Sequence, residues 1–272
     1  MASNLIKGQK TIKGYNITFY SSISASKKDT LILLHGLADR KEGFLKMVKY
    51  LSKDYHIIIP DLPGHGDNIK DETLDYRIQN QIYYLKDLFD QLKLDKYHIC
   101  GISTGGLFGI YFSSLYPKQV KSLTIVNTPF INDSSNPFFN KFLEEIGENL
   151  NIISCLDLVF YKRPKFSWPI TNRLQKQLRK DLEFLTRKNI IKNIFILPKS
   201  ILSSLRTPVL ILHSPQDKLL PVEDAKKYHE IIPNSIYGTL KESGHYPQYE
   251  KPSFLSAGIR GQIERNSTRK LD

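Results

Sequence analysis

The segment GISTGG at positions 101–106 has the residue types of an activated serine in a tight turn. It follows the apolar run YHIC and precedes a helical pattern. A serine on a sharp strand-to-helix turn projects its hydroxyl above the sheet, and small residues two positions to either side relieve the crowding. The helix start also directs backbone N–H groups at negative charge developing on a substrate oxygen. We therefore predict that Ser103 is a nucleophile.

Asp217 and His245 have the chemistry needed to activate this serine. A serine hydroxyl is a weak nucleophile at neutral pH and needs a base, usually a histidine that a carboxylate holds in the useful tautomer. Asp217 follows the run VLILHSPQ, and His245 follows SIYGTLKESG. Open α/β sheets form their ligand sites in the loops after strands. Taken singly, Asp217 could be a turn residue and His245 a surface histidine, but the order Ser, Asp, His predicts a catalytic triad.

The sequence predicts no metal and no cofactor. The seven histidines include no His-Glu-x-x-His pair, and the two cysteines, Cys100 and Cys155, lie far apart. The GISTGG segment lacks the lysine and the glycine spacing of nucleotide-binding loops. Two cysteines are too few for a disulfide scaffold, which fits a reducing compartment.

Short β-branched runs alternate with helical patterns, which predicts an α/β fold with a mostly parallel central sheet and flanking helices. We predict seven strands, at YNITFYSS, TLILLHG, YHIIIPDLP, YHICGIS, SLTIVNTP, PVLILHSP and SIYGTLKES. About 80 residues separate SLTIVNTP from PVLILHSP, whereas a crossover needs only about a dozen. This excess predicts an inserted helical subdomain.

The predicted organisation is a core formed by residues 1–129 and 207–272, with a helical, basic cap at 130–206. Within the cap, we expect Thr171 to be the N-cap of an amphipathic helix. Leucines at positions 174, 178, 182 and 185 fall on one face of this helix, and the basic residues stay largely clear of that stripe.

Together these segments resemble the α/β-hydrolase superfamily over roughly residues 10–265. The likeness extends to LLHGLAD, DLPGHGDN, HSPQDKLLP and GHYPQYEKP, besides GISTGG. The resemblance implies that Ser103 is the nucleophile, His245 the general base and then acid, and Asp217 the orienting carboxylate. It also implies an oxyanion hole formed by the backbone N–H groups of Leu37 and Thr104, a cap inserted after the sixth strand, and a structural role for His35, with His35 as the base as a minor alternative. We interpret His65 as an organiser of its loop, because Pro63, Gly64 and Gly66 mark a tight turn there.

The net charge of +12 is concentrated in the predicted cap, where residues 161–206 hold 12 Lys or Arg against 2 Asp or Glu. These charges could simply keep an amphipathic helix in solution, or they could steer an anionic partner such as an acyl carrier protein. The arrangement is similar to that of pimeloyl-carrier-protein methyl ester esterases. The residues expected to contact substrate or partner are Trp168, Phe139, Arg173, Arg179 and Lys180.

The leading hypothesis is a serine hydrolase that cleaves a carboxylic ester, or a thioester, through an acyl-enzyme. The expected substrate is a small-molecule or carrier-bound acyl ester with an anionic portion, such as a pimeloyl-carrier-protein methyl ester. Alternatives are a lysophospholipase-like or monoacylglycerol-lipase-like enzyme, a C–C bond hydrolase on the same fold, and a non-catalytic binding protein. We expect no nucleic-acid partner, because no recognised module accompanies the charge. Since no apolar run approaches 18 residues, we expect no transmembrane segment and a cytoplasmic location.

Overall fold

A computed structural model describes residues 5–23, 29–130, 152–165, 167–188 and 197–268. The described chain is built on one eight-stranded sheet with the spatial order β1-β2-β4-β3-β5-β6-β7-β8. The strands are β1 Leu5–Ile12, β2 Tyr15–Ser22, β3 Thr30–Leu34, β4 His56–Pro60, β5 Tyr97–Ile102, β6 Val120–Val126, β7 Val209–His213 and β8 Ile236–Thr239.

The sheet is parallel from β4 through β8, and only β1 and β2 run antiparallel to their neighbours. The predicted mostly parallel sheet is thus confirmed. All seven predicted strands are present, but β1 was not predicted. Its sequence LIKGQKTI is polar and largely exposed, so it lacks the apolar run that identifies the inner strands. Lys13 and Gly14, both with positive φ, connect β1 to β2 in a tight hairpin turn.

Helices cover both faces of the sheet. They are α1 Leu45–Leu51, α2 Ile78–Gln91, α3 Thr104–Leu115, α4 Ile152–Val159, α5 Trp168–Arg187, α6 Lys199–Ser204, α7 Val222–Ile231, α8 Pro247–Glu250 and α9 Pro252–Thr268, with a 3₁₀ turn at Lys41–Phe44 before α1. On β3, Leu31 and Leu33 pack with α1 and α9, while Ile32 and Leu34 pack with α2, α3 and α7. Successive residues of one strand are buried on opposite faces, which explains why the inner strands are apolar without alternation.

Three described helices, α4, α5 and α6, lie between β6 and β7, in the interval predicted to hold the cap. Residues 131–151 and 189–196 lie outside the described residues, so the limits 130–206 stay a prediction. No helix in the described ranges is long and apolar enough to cross a membrane.

The predicted start of the amphipathic helix is wrong. Helix α5 begins at Trp168, and Thr171 lies within its first turn, where its Oγ1 donates to the Ser167 carbonyl at 3.1 Å. Pro169 at the second helical position allows this earlier start, because a proline needs no hydrogen-bond partner for its nitrogen there. Of the predicted stripe of leucines on this helix, Leu182 is buried, whereas the Leu174 side chain is 39% exposed.

Replacing Gly101 with alanine should destabilise the fold. A Cβ at this position would lie 2.1 Å from the Gly105 carbonyl oxygen, a backbone atom that cannot move aside without shifting the turn. The expected loss is about 1–3 kcal/mol of unfolding free energy, measured by urea denaturation. Gly261→Ala in α9 is the matched control, since its added methyl would meet nothing within 4 Å and should stabilise the helix by about 0.5–1 kcal/mol. Equal stabilities for the two variants would contradict the predicted crowding.

Candidate active site

Ser103 occupies a strained turn between β5 and α3. Its backbone has φ of 55° and ψ of −126°, a conformation that residues with a side chain rarely adopt. The Ser103 N–H donates to the Val126 carbonyl on neighbouring β6 at 2.8 Å, which ties the turn to the sheet. Gly101 and Gly105, two positions to either side, leave no room for a Cβ. The structure thus shows the crowding relief expected from the sequence.

His245 and Asp217 are hydrogen-bonded to each other. The ring Nδ1–H of His245 donates to Asp217 Oδ2 at 2.7 Å, and both side chains are buried. The other carboxylate oxygen of Asp217 accepts the backbone N–H groups of Leu219 at 2.8 Å and Leu220 at 3.1 Å. These two bonds fix the orientation of the carboxylate, and the carboxylate fixes the ring. The proton on Nδ1 leaves Nε2 as the nitrogen that can accept a proton.

A small cavity of about 40 Å³ brings the sequence-predicted residues together. Its lining residues are Gly36, Leu37, Ile102, Ser103, Thr104, Pro129, Val159, Leu219, Leu220, His245 and Tyr246. A Cβ added to Gly36 would lie 3.1 Å from the Ser103 Cβ, so the loop after β3 packs directly on the serine turn. Leu37 and Thr104 directly follow the two contacting residues in the chain and line the same pocket. Their assignment as oxyanion donors, and the catalytic assignment of the triad, stay predictions.

Asn127, at the end of β6, holds the acid and histidine loops together. Its side-chain N–H group donates to the Gly244 carbonyl at 3.1 Å and to the His245 carbonyl at 3.3 Å, and its oxygen accepts the Ser214 N–H at 2.8 Å. Asn127 is fully buried and has φ of 43°. Sequence analysis missed this residue. The available signal was an asparagine directly after an apolar strand, where this side chain often satisfies neighbouring backbone groups.

A buried ion-pair cluster of Lys41, Asp61 and Asp67 stabilises the segment after β3. Lys41 has no exposed side-chain surface, and its Nζ lies 2.7 Å from Asp61 Oδ2 and 2.6 Å from Asp67 Oδ2. Asp61 also accepts the Lys41 backbone N–H at 2.8 Å. Hydrogen bonds from the Lys41 ammonium and from the backbone N–H groups of Lys41 and Asp67 hold the pKa of the Asp61 carboxyl below its usual value, against the effect of burial. Sequence analysis missed this cluster, since lysine and aspartate in a loop are usually exposed.

His35 and His65 both form hydrogen bonds to backbone groups of nearby loops. His35 Nε2 accepts the Leu62 N–H at 3.0 Å, and its Nδ1–H donates to the Gly36 carbonyl at 2.8 Å. His65 Nδ1–H donates to the Pro63 carbonyl at 3.0 Å. Burial lowers the pKa of His65 to about 3, so its ring is neutral at physiological pH.

A second cavity of about 550 Å³ adjoins the Ser103 pocket under the cap. Leu37, Val159 and Tyr246 line both. The remaining lining is Ala38, Asp39, Arg40, Gly43, Ile152, Cys155, Leu156, Phe160, Ile170, Arg173, Leu174, Gln177, Leu178, Asp181, Leu182 and Tyr249. Among these, Ile170 is 49% and Leu174 39% exposed, so the cavity opens along the first half of α5. Its volume falls in the range of roughly 300–1,000 Å³ usual for small-molecule sites.

The residues predicted to contact substrate or partner lie in different parts of the structure, and two of the five cannot be described. Arg173 lines the large cavity and, with Lys180, a shallow groove on the outer face of α5. Arg179 is exposed on the same helix. Phe139 lies outside the described residues, and so does the side chain of Trp168, the first residue of α5. None of these binding assignments is tested, and all stay predictions.

Comparisons with known proteins agree with this architecture. The family model for the alpha/beta hydrolase fold matches residues 29–151. The chain is 27% identical to Lipase 1 of Psychrobacter immobilis, covering 82% of this chain and 73% of that protein. It is 28% identical to monoacylglycerol lipase ABHD6 of Mus musculus, covering 90% and 79% respectively. A crystal structure of a putative lipase from Acinetobacter baumannii superimposes with a TM-score of 0.87 at 24% identity, covering 98% and 94%.

This chain has the α/β-hydrolase fold. With lipases among its relatives, its class is that of a carboxylic ester hydrolase, which confirms the prediction that it is an enzyme.

We predict that the ionisation of Asp224 on α7 makes the free energy of unfolding depend on pH. Burial, with smaller effects from Glu223 and Asp217, raises the pKa of Asp224 to about 6, and its Oδ2 accepts the Phe130 N–H at 3.0 Å. Because the folded pKa exceeds the unfolded value, folding favours the neutral carboxyl, and stability is lost as pH rises from about 4 to 6. Asp224→Asn, which keeps an acceptor without the charge, should therefore raise the unfolding free energy at pH 8 by about 1–3 kcal/mol.

Urea unfolding at pH 5 and pH 8 measures this effect, and the gain should be larger at pH 8. Glu223→Gln is the matched control, because this neighbouring carboxylate is 61% exposed and loses little by ionising. A gain that does not change with pH would contradict the assignment to Asp224 ionisation.

Proposed function

We propose that this enzyme hydrolyses esters of long-chain carboxylic acids through an acyl-enzyme on Ser103. The observation that carries the proposal is the apolar cavity of about 550 Å³ that adjoins the small Ser103 pocket. Leucine, isoleucine and valine side chains from α4 and α5 form much of its wall, which suits an acyl chain. Relatives named lipase and monoacylglycerol lipase support this substrate class.

The proposed mechanism uses the hydrogen bond between His245 and Asp217 and the shared position of His245 and Ser103 in the lining of the small pocket. His245 Nε2 takes the proton from Ser103 Oγ as this oxygen attacks the ester carbonyl, and Asp217 stabilises the imidazolium that results. The N–H groups of Leu37 and Thr104 stabilise the oxyanion. Collapse breaks the C–O bond to the alcohol, which leaves with the proton from His245. Water, deprotonated by His245, then attacks the acyl-enzyme, and His245 returns this proton to Ser103 Oγ as the bond to the acyl carbon breaks and the acid is released. A thioester of the same acid would follow the same path, with a thiol as leaving group.

Ser103→Ala should lower the kcat for p-nitrophenyl esters by about 10³–10⁶-fold, because the nucleophile is lost while the fold remains. A fluorophosphonate probe should label the wild type and leave this variant unlabelled. Ser114→Ala on α3 is the matched control, since its Oγ donates to the Tyr111 carbonyl and Ser114 does not line the Ser103 pocket. Labelling that survives Ser103→Ala would refute the nucleophile. A wild type that neither labels nor turns over any ester would favour the binding-protein alternative.

A second candidate, a pimeloyl-carrier-protein methyl ester, is favoured by the charge on the outer face of α5. Arg173, Lys176, Arg179 and Lys180 are exposed and form no ion pair with other described residues, whereas Arg187 and Lys188 pair with Glu72. Lys176 and Lys180 line the shallow groove on this face. An acidic acyl carrier protein would complement the groove. The partner and a cytoplasmic location both stay predictions.

Lys176→Glu combined with Lys180→Glu tests the carrier protein directly. If the carrier docks here, kcat/KM for the carrier-bound methyl ester should fall about 10-fold or more at low salt, with much less change for a free methyl ester. Lys226→Glu with Lys227→Glu on α7 makes the same charge change on another exposed surface and should have little effect. Equal losses for the carrier-bound and free esters, or for the two double variants, would exclude a docking role for the α5 face.

A further inference from the structure

Three side chains separate the Ser103 pocket from the large cavity under the cap. Leu37, Val159 and Tyr246 line both spaces, and we refer to these three residues as the neck. The Ser103 pocket has a volume of about 40 Å³. Because one water molecule needs roughly 10–15 Å³, this pocket holds the reacting carbonyl group and little more. Most of a long acyl chain must therefore extend through the neck into the cavity of about 550 Å³.

Two ring contacts hold the Tyr246 side chain in the neck. Its ring centroid lies 5.5 Å from that of Phe160, and the two planes are inclined by 22°, which is a stacked arrangement. Tyr246 also meets the His245 ring edge-on, with centroids 5.8 Å apart and planes at 85°. Phe160 is itself buried and packs against Tyr249 at 5.3 Å. Aromatic pairs in these geometries are favourable beyond the area that they bury, so turning Tyr246 out of the neck is costly.

Backbone contacts fix the other two sides of the neck. The Val159 carbonyl accepts the His245 N–H at 2.8 Å. A Cβ added to Gly244 would lie 2.7 Å from the Val159 carbonyl oxygen, so the end of α4 packs directly on the histidine loop. Leu37 follows the glycine that packs on the serine turn. The same close contacts that build the catalytic pocket therefore also set the width of the neck.

Tyr246 has the largest side chain of the three neck residues. A straight hydrocarbon chain presents one methylene group at a time to such a constriction, whereas a ring or a branch presents several atoms at the same level. Tightly packed side chains accept extra atoms only by moving. We propose that Tyr246 is a specificity-determining residue that restricts the acyl part of the substrate, close to the ester, to an unbranched chain. This inference rests on the proposed ester hydrolysis at Ser103.

The test compares p-nitrophenyl nonanoate with p-nitrophenyl 3-cyclohexylpropanoate, which has the same number of acyl carbons but carries a ring close to the carbonyl. Wild-type kcat/KM, corrected for the alkaline hydrolysis rates of the two esters, should favour the nonanoate by at least about 10-fold, since the ring adds several methylene groups at the neck. Tyr246→Ala should lower that ratio about 10-fold or more by admitting the ring. Tyr246→Phe should keep the ratio, because the restriction depends on the aromatic ring and not on the hydroxyl.

Tyr249→Ala is the matched control. Tyr249 also packs on Phe160 and lines the large cavity, but it is not part of the neck, so its loss should leave the ratio unchanged. p-Nitrophenyl acetate has an acyl group too short to reach the neck, and its turnover therefore reports the state of the triad in every variant. If Tyr246→Ala changes kcat/KM equally for all three esters, the effect acts through His245 and the restriction at the neck is overturned.

A wild-type ratio near one also overturns the restriction, even if the alanine variant fails to fold. Discrimination between nonyl acetate and 3-cyclohexylpropyl acetate, without discrimination between the two acyl esters, overturns it as well, because the neck would then restrict the alcohol. Fluorophosphonate labelling separates these results from a failure of the proposed function. A wild type that labels and turns over the acetate with a ratio near one loses only the neck, whereas the absence of both labelling and turnover would refute the proposed function.

Discussion

The site depends on the close approach of two backbone segments, the end of β3 and the turn after β5. A Cβ at Gly105 would lie 2.2 Å from the Leu34 carbonyl oxygen, and a Cβ at Gly36 would lie 3.1 Å from the Ser103 Cβ. Only glycine permits backbones to pack at this distance. The approach sets the position of the Leu37 amide relative to the serine hydroxyl. The buried Lys41–Asp61 ion pair then ties the segment after β3 to the loop after β4.

Hydrogen bonds across the carboxyl ends of β6, β7 and β8 fix the remaining geometry. Asn127 joins the loops that carry Asp217 and His245, although these loops are far apart in sequence. Glu250 adds a second link, because its carboxylate accepts the backbone N–H groups of Gly244 at 2.7 Å and Lys162 at 3.0 Å. The histidine loop is thereby bonded to the sheet on one side and to the cap segment on the other. The bonds of Asn127 and the bond between Glu250 and Gly244 are buried or partly buried, so solvent weakens them little.

Features that depend on a local sequence pattern, such as the inner strands and the serine turn, could be predicted from the sequence. Features that depend on contacts between distant segments could not. The inner strands are continuous apolar runs, and the residue types around positions 103, 217 and 245 are informative within a few residues. β1 was missed because an exposed edge strand needs few apolar residues. Asn127 and the Lys41–Asp61 pair were missed because their partners come from other loops. Much of the described wall of the large cavity is aliphatic, and the two aromatic residues predicted to contact substrate, Phe139 and Trp168, stay predictions.

The His245 backbone N–H donates to the carbonyl of Val159, the last residue of α4, at 2.8 Å. The helix that walls the substrate cavity therefore also supports the loop of the proposed general base. A displacement of α4 that widened the entrance would pull on the same bond that sets the height of the imidazole above the sheet. Access and reactivity are mechanically linked in this enzyme, so enlarging the cavity through α4 to admit bulkier substrates would be expected to slow the chemical step.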